Sequence, residues 1–155
     1  MPNEAHRLAD QLQRSIYGDA WHGPAVNELI EDLDWQDAFA KPIPNAHSIF
    51  ELVHHIAVWA EVGKEACCGK VYRQLSPAKD WLLEYQPSQA AWLSAKTRCG
   101  DAQSDLQKEL REAPESVLYA QLKGKDYSLY ELMLGILQHN AYHAGQIALL
   151  KSALN

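Results

Sequence analysis

The segment 137–150, LQHNAYHAGQIALL, contains two histidines, His139 and His143, four positions apart. On an α-helix, residues at this spacing lie on one face and roughly 6 Å apart along the axis, so their imidazoles can converge on a single point. Neutral imidazole is a common ligand of divalent metal ions. The spacing therefore indicates that these two side chains can share a metal ion.

Both histidines lie on the line of side chains that an amphipathic helix turns toward a protein core. Apolar residues recur along this line at spacings of three and four. They are Leu132, Ile136, Ile147, Leu150 and Leu154. A buried imidazole without a partner costs free energy, so two of them on adjacent turns need a common explanation. A pair of core histidines bonded to the backbone or to each other also fits this pattern, because helical H-x3-H pairs occur by chance.

A third histidine, His55, is predicted to face the core from a different helix. This helix is predicted over 49–68, and Ser48 and Glu51 fit a capping box at its start. His55 falls within the apolar stripe of the helix, whereas His54 lies on a more mixed face. Three buried imidazoles are difficult to satisfy by chance hydrogen bonds, but one cation satisfies them together. The sequence therefore favours a metal site shared by two helices.

Length, composition and charge restrict the class of protein. The 155 residues, of which 47% are apolar and 22% charged, predict a single soluble globular domain over residues 1–155. A formal net charge of -6 without a Lys/Arg cluster argues against nucleic acid and anionic membranes as partners. The N-terminus lacks the apolar region of a signal peptide, and no run of about 18 apolar residues occurs. We therefore expect a cytoplasmic protein.

The three cysteines are Cys67, Cys68 and Cys99. An odd number without C-x-x-C spacing argues against both a disulfide framework and a zinc knuckle. We expect reduced cysteines with a structural role.

Periodicity and helix-end signals predict an all-α fold with four long helices, which is typical of a four-helix bundle. The helices are expected over 3–17, 49–68 and 88–112 and from 129 onward, with a shorter helical segment at 25–33 and a short strand pair near 117–127. The connection 70–86 is long enough to cross the bundle, so helices two and three are expected to run parallel in an up-down-down-up order. Gly135 and Gly145 lie inside helix four, where we expect a neighbouring helix to approach closely.

Three segments of the chain resemble the DinB/YfiT-like family of metal-binding four-helix bundles. They are WHGP at 21–24, SIFELVHHIAVW at 48–59 and GILQHNAYHAGQI at 135–147. The resemblance covers nearly the whole chain in order, and the H-x3-H-x-G-Q-I ending is its most specific part. In that family a divalent metal, zinc or nickel in many members, is held by one histidine of helix two and two of helix four.

Carried onto this sequence, the resemblance implies that His55, His139 and His143 are the metal ligands. His55 directly precedes an isoleucine, as the motif requires. The family includes transferases that use low-molecular-weight thiols such as bacillithiol, a mycothiol-dependent isomerase, and many members of unknown activity. Three neutral imidazoles leave a coordination position open, where a bound thiol or water has a lowered pKa and becomes a nucleophile near neutral pH.

The resulting hypothesis is a metal-dependent transferase, in which an activated thiolate, or less readily hydroxide, attacks a small electrophile. The pocket is expected near Trp21, His22, Trp59 and Tyr142, and His22 or Tyr142 is a candidate for proton transfer. A metal-bound imidazole usually needs a partner for its other nitrogen. Glu51 and Gln138 are both candidates for that role.

Two other hypotheses remain open on the sequence. One is a non-catalytic metal-binding module of a stress response, although a purely structural zinc usually has four protein ligands and only three are found here. The other is a metal-free bundle with a polar histidine cluster. A homodimer is expected by resemblance, and no residue pattern locates its interface.

Overall fold

The computed structural model describes residues 3–82 and 84–154, which form eight helices and no strand. In chain order they are α1 (Glu4–Tyr17), α2 (Val26–Ile30), α3 (Trp35–Phe39), α4 (Ile49–Cys67), α5 (Pro77–Asp80), α6 (Gln89–Glu112), α7 (Glu115–Leu118) and α8 (Leu129–Ala153). Residues 1, 2, 83 and 155 of the predicted single domain lie outside the described residues. No helix in the described part of the chain is both long and apolar enough to cross a lipid bilayer.

The four long helices, α1, α4, α6 and α8, pack as a helical bundle. Helices α1 and α4 each pack against both α6 and α8, and the four enclose one apolar core. Helix α4 is buried on most of its surface, because α3 and α5 cover the sides that the other long helices leave open. The predicted all-α helical bundle is confirmed, and the four short helices α2, α3, α5 and α7 occupy its connections.

Polar contacts fix the register between neighbouring long helices. On α4 and α6, Lys64 bonds Asp105 at 2.5 Å and the Cys68 thiol lies 3.6 Å from Glu109. From the first pair to the second, the residue number increases by four along both α4 and α6. Between α1 and α6, the Tyr17 hydroxyl donates to the carbonyl oxygen of Gly100, whereas His6 near the other end of α1 bonds the carbonyl of Arg111.

The predicted capping box at Ser48 is present, a second one occurs at Ser128, and the two set the start of the histidine-bearing helices. The Ser48 hydroxyl accepts from the Glu51 amide, and Glu51 accepts from the Ser48 amide, at the start of α4. Ser128 and Glu131 make the same exchange at the start of α8. Because each box pairs amides that a helix start leaves without partners, it fixes where the helix begins and hence the phase of its histidines.

The expectation for the glycines of α8 is wrong. Gly135 and Gly145 are both exposed, and a Cβ added to either would meet no atom within 4 Å. The close helix approach lies instead at Gly63 of α4, where a Cβ would stand 2.7 Å from Ile136 Cδ1 and 3.1 Å from Leu106 Cδ1. The absence of a side chain at Gly63 lets α6 and α8 pack closely against α4.

The predicted strand pair near 117–127 is also wrong. Its first residues belong to α7, and Gln121 and Ser128 form only an isolated antiparallel bridge across a turn. Leu122 donates to the Tyr127 carbonyl at 2.9 Å, which closes this turn. With so few residues on either side of Gly124, the two arms make too few ladder bonds for a strand.

Candidate metal centre

The three predicted histidines meet between α4 and α8. Nε2 of His139 lies 2.9 Å from Nε2 of His55 and 3.0 Å from Nε2 of His143. The potential ligand atoms of the three residues all lie within 4.8 Å of one another. His55 and His143 are buried and His139 is partly exposed, so the cluster opens to one side. This group of histidines could hold a metal ion.

Asp80, at the end of α5, holds His55 through the ring nitrogen that points away from the cluster. Nδ1 of His55 lies 2.8 Å from the Asp80 carboxylate Oδ1 and 3.1 Å from the Asp80 carbonyl oxygen. Both of these atoms only accept, so Nδ1 of His55 carries the proton and donates to them. In the neutral ring, Nε2 of His55 therefore presents a lone pair to the cluster.

His143 is held in the same way by its own helix. Its Nδ1 lies 2.5 Å from Oε1 of Gln146, three residues later on α8. Because the amide oxygen accepts, Nδ1 of His143 donates and its Nε2 also presents a lone pair. The buried Nδ1 of His139, in contrast, has no hydrogen-bond partner among the described residues.

This pattern of protons leaves the cluster incomplete as a set of hydrogen bonds. With its proton on Nε2, His139 can donate properly to only one of the two neighbouring lone pairs, and with its proton on Nδ1 it adds a third lone pair. A cation bound by the three Nε2 atoms would satisfy all of them at once. The chemistry of the donor set therefore fits a metal ion.

The charge state of the cluster also suits a cation. Burial lowers the pKa of His139 to about 3, and the neighbouring histidines lower it in the same direction. Burial likewise lowers the pKa of His143 to about 4, and it lowers the pKa of His55 although Asp80 opposes that shift. All three rings are consequently neutral near pH 7, which is the protonation state that binds metals.

The distances from Nε2 of His139 to the other two Nε2 atoms are close to those of a tetrahedral metal site. Ligand atoms about 2.0–2.1 Å from a zinc ion lie roughly 3.3 Å apart in tetrahedral geometry. The two shorter separations of 2.9 and 3.0 Å are slightly below this value. These two pairs of nitrogens therefore lie within a few tenths of an ångström of the separation that a zinc ion requires.

Aromatic residues surround the cluster and restrain His55. The Trp81 ring stacks on both His55 and His47. Its centroid lies 3.8 Å from that of His55 and 3.6 Å from that of His47. The Trp59 indole N–H donates to the Asp80 carboxylate at 3.1 Å, and the Trp59 ring lies 5.7 Å from that of His139. The orientation of His55 is therefore fixed by both hydrogen bonds and stacking.

Sequence reasoning missed Asp80, Trp81 and Gln146. The pair Ser76 and Pro77, an N-cap type followed by proline at the first helical position, was the available signal for α5, which carries Asp80. Gln146 lies three residues after His143 on the same helix face, a spacing at which side chains interact. No local pattern indicates that Trp81 returns to the cluster.

Glu51 and Gln138, which were predicted to orient the ligand histidines, do not bond them among the residues that the structure describes. Glu51 is buried and binds Lys41 and Tyr85 in addition to its capping partner Ser48. Gln138 is exposed, and neither residue bonds a histidine of the cluster within the described chain. The Glu51 oxygens are engaged by Lys41, Tyr85 and Ser48, and the partners of His55 and His143 are instead Asp80 and Gln146.

The other candidate residues lie in different surroundings. Trp21 and His22 are exposed in the turn between α1 and α2, and in the described structure neither makes a ring contact or hydrogen bond with the cluster. Tyr142 is exposed beside the cluster, with its ring 5.1 Å from that of His143. His54 is buried on α4, and its Nδ1 accepts from Arg98 at 3.0 Å, away from the cluster.

The cysteines lie apart from the histidine cluster as free thiols. Burial raises the pKa of both Cys67 and Cys99 to about 12, so neither thiol ionises near neutral pH. This agrees with the expected structural role of these two residues.

A groove of about 450 Å³ runs along α8 beside the cluster. It is lined by Trp59, Tyr127, Glu131, Leu132, Gly135, Ile136 and His139. His139 is the only one of the three clustered histidines that lines this groove, so the groove gives access to the cluster from one side. A separate groove of about 720 Å³ lies under residues 69–79 and does not include the histidines.

A cluster of three imidazoles between two long helices of a bundle defines a class of helical proteins with a potential metal site. Residues 20–147 match the family model of the DinB superfamily. Since the match covers most of the chain, the protein belongs to the DinB superfamily. No curated protein and no solved structure matches the chain.

Proposed function

We propose that this protein binds a divalent metal ion through His55, His139 and His143 and uses it to activate a low-molecular-weight thiol for attack on a small electrophile. The observation that carries the proposal is the convergence of the three Nε2 atoms. The rings of His55 and His143 are in addition held in place by hydrogen bonds at Nδ1. Zinc and nickel are the ions we favour, because both accept imidazole ligands.

The number of protein ligands supports a catalytic role over a purely structural one. Three imidazoles leave a tetrahedral ion one position for an exogenous ligand, whereas structural zinc sites are usually closed by four protein ligands. A bound divalent ion would lower the pKa of a thiol, or of water, in that position and yield a nucleophile near neutral pH. The groove beside His139, which Trp59 helps to line, would admit a substrate from one side.

Each chain residue near the cluster has a defined task in this proposal. Asp80 and Gln146 hold the rings of His55 and His143 so that their Nε2 lone pairs face inward. Tyr142 is the better placed of the two proton-transfer candidates, since its ring adjoins His143 whereas His22 lies in an exposed turn.

We also propose the up-down-down-up order for the four long helices. The contacts that support it are the parallel pairing of α4 with α6 and the opposed pairing of α1 with α6. Gly63 on α4 lies near Met133 and Ile136 of α8, whereas His55 meets His139, so these two helices run in opposite directions. In this order α4 and α8 bring their histidines together at one level of the bundle.

The first experiment measures metal content in protein purified without a histidine tag. We expect one equivalent of a divalent ion per chain, and we expect His139→Ala to bind less than a tenth of that amount. His54→Ala is the matched control, because His54 is a buried histidine of α4 that points away from the cluster. Loss of metal in the His54 variant and not in the His139 variant would contradict the assigned ligands.

The second experiment tests catalysis. Metal-loaded protein is incubated with a panel of thiols and either monochlorobimane or chlorodinitrobenzene, and conjugate formation is followed by absorbance or fluorescence. We expect at least one thiol to give turnover that His55→Ala lacks. If no thiol reacts faster than with the His55 variant, while both metal content and fold are normal in the parent protein, the transferase proposal fails and the metal site stands as a binding site.

A further inference from the structure

The groove along α8 has apolar walls and a single acidic residue at one end. Its middle is formed by Leu132, Gly135 and Ile136 and its side by the rings of Trp59 and Tyr127. Glu131 and His139 lie at opposite ends of this stretch of α8. Eight residues separate them, which corresponds to about 12 Å along the helix axis.

Glu131 presents a negative charge to the groove. Its Oε2 accepts from the amide and hydroxyl of Ser128, at 2.7 and 2.8 Å, whereas no bond within the described residues occupies Oε1. These hydrogen bonds from Ser128 hold the pKa of Glu131 below its ordinary value, so the carboxylate is ionised at neutral pH. No lysine or arginine of the described chain lines the groove, and the ammonium group of Lys125 lies 5.9 Å from the Tyr127 ring centroid.

Gly135 keeps the groove open. It is exposed, and an added Cβ would meet no atom within 4 Å, so a larger side chain would extend into the space that Gly135 lines. Glycine inside a helix costs about 1 kcal/mol relative to alanine, and here no helix approaches closely enough to require it. The structural effect of glycine at position 135 is therefore that no side chain obstructs the groove.

We propose that this groove binds an elongated thiol that carries an ammonium group, with an apolar body between the two ends. The thiol reaches the histidine cluster past His139, the apolar body lies along Gly135 and Leu132, and the ammonium group pairs with Glu131. This proposal rests on the metal-dependent function proposed above and specifies the class of thiol that the site selects.

The test uses cobalt(II)-loaded protein, because thiolate coordination to cobalt gives a charge-transfer absorption band that reports binding without turnover. The probes are aminooctanethiol, the short amine cysteamine, the uncharged octanethiol and the anionic mercaptooctanoate. We expect aminooctanethiol to bind at least about tenfold more tightly than cysteamine, because its methylenes are buried in the groove. We expect it to bind about two- to fivefold more tightly than octanethiol, as is typical of one exposed ion pair, and mercaptooctanoate to bind the most weakly of the three long thiols.

Two variants locate the binding surface. Gly135→Leu is expected to remove the tenfold advantage of aminooctanethiol over cysteamine, whereas the control Gly145→Leu, at an exposed glycine of the same helix outside the groove, should keep it. Glu131→Gln preserves the capping box, since glutamine also caps at this position, and should remove the preference for the ammonium group. Circular dichroism and cobalt stoichiometry establish that each variant is folded and loaded.

The possible failures are distinguishable. Equal affinity for long and short aminothiols, or an unchanged preference in Gly135→Leu, overturns the groove proposal and leaves the metal site intact. If cobalt does not bind, or if no thiol in the series gives the charge-transfer band, the proposed function itself fails and the groove proposal fails with it.

Discussion

The orientation of the clustered imidazoles depends on the residues that bond their Nδ1 atoms, on the side of the ring away from the cluster. Asp80 accepts from His55 through both its carboxylate and its carbonyl oxygen, and it also accepts from Trp59. A carboxylate partner sets the tautomer of a ligand histidine and raises its basicity. The geometry of the cluster therefore depends on a residue that does not belong to it.

We expect Asp80→Ala to weaken zinc affinity by about 10- to 100-fold, as is typical when the partner of a ligand histidine is removed. Asp80→Asn retains an acceptor oxygen and should give a smaller loss. Competition with a chromophoric chelator measures both values. Asp105→Asn is the control, because Asp105 is an exposed carboxylate that binds Lys64 far from the cluster. Equal affinity in the Asp80→Ala variant and the parent protein would show that Asp80 does not position His55.

The depressed pKa values make the metal-free protein sensitive to acid. In the folded chain burial lowers the pKa of His143 from 6.5 to about 4 and that of His139 from 6.5 to about 3. As the pH falls below 6.5 the unfolded chain therefore takes up protons that the folded chain does not, and stability that is present above that pH is progressively lost. Urea unfolding of chelator-treated protein should show a decreasing free energy of unfolding between about pH 7 and about pH 5.

His139→Gln removes one of these titrating groups and should show a shallower decline in unfolding free energy over the same pH range. A decline as steep as that of the parent protein would mean that His139 is not buried in its neutral form. The comparison is made without metal, because a bound ion would add its own pH dependence.

At the scale of helices, Gly63 lets α6 and α8 pack closely against α4. Its missing side chain brings the tips of Ile136 and Leu106 within contact of the α4 backbone. Gly145 lies in a helix as well but faces open space. A substitution at Gly145 therefore reports only the helix propensity of glycine, whereas one at Gly63 also reports the close packing that glycine allows there.

We expect Gly145→Ala to stabilise the protein by about 0.5–1 kcal/mol, since alanine is the better helix former and no neighbour is displaced. Gly63→Ala gains the same propensity but must displace Ile136, so it should be less stable than Gly145→Ala by about 1–3 kcal/mol. Chemical denaturation of the two variants measures this difference directly. Equal stabilities would mean that the side chains around Gly63 move aside without cost.

These glycines also illustrate what a sequence can predict here. The phases of His55, His139 and His143 follow from local apolar periodicity and capping boxes, which are properties of each helix alone, and the cluster forms as predicted. The location of close packing depends on which helix faces which, so the glycines of α8 were misjudged and Gly63 was missed.

The conformations of the loops were even harder to predict from the sequence than the helix packing. Trp81 and Asp80 reach the cluster only because the connection between α4 and α6 folds back over α4, and no periodicity encodes that path. Trp21 and His22, near which the pocket was expected, lie in the turn between α1 and α2 and face solvent. A tryptophan near a break can pack in either direction, and the sequence alone does not distinguish the two.

The bundle as a unit should gain stability from a metal ion. An ion held by His55 and by the two histidines of α8 binds only when α4 and α8 are docked, so it stabilises the folded state by linkage. At a free zinc concentration about 100-fold above the dissociation constant, the free energy of unfolding should rise by about 2.7 kcal/mol. Thermal and urea unfolding with and without zinc measure this increase.

A chelator should reverse the stabilisation, and His139→Ala should show none. If that variant were stabilised by zinc as much as the parent protein, the ion would be binding elsewhere on the chain. The His54→Ala variant, in which the three clustered histidines are retained, should respond to zinc as the parent protein does.

The contact between His55 and His139 joins residues 84 positions apart. During synthesis the first imidazole leaves the ribosome long before the other two, and a lone imidazole binds cations too weakly to retain one. Loading of the proposed site with an ion would therefore be a late step of maturation, after the last long helix has docked, and would not guide the earlier stages of folding.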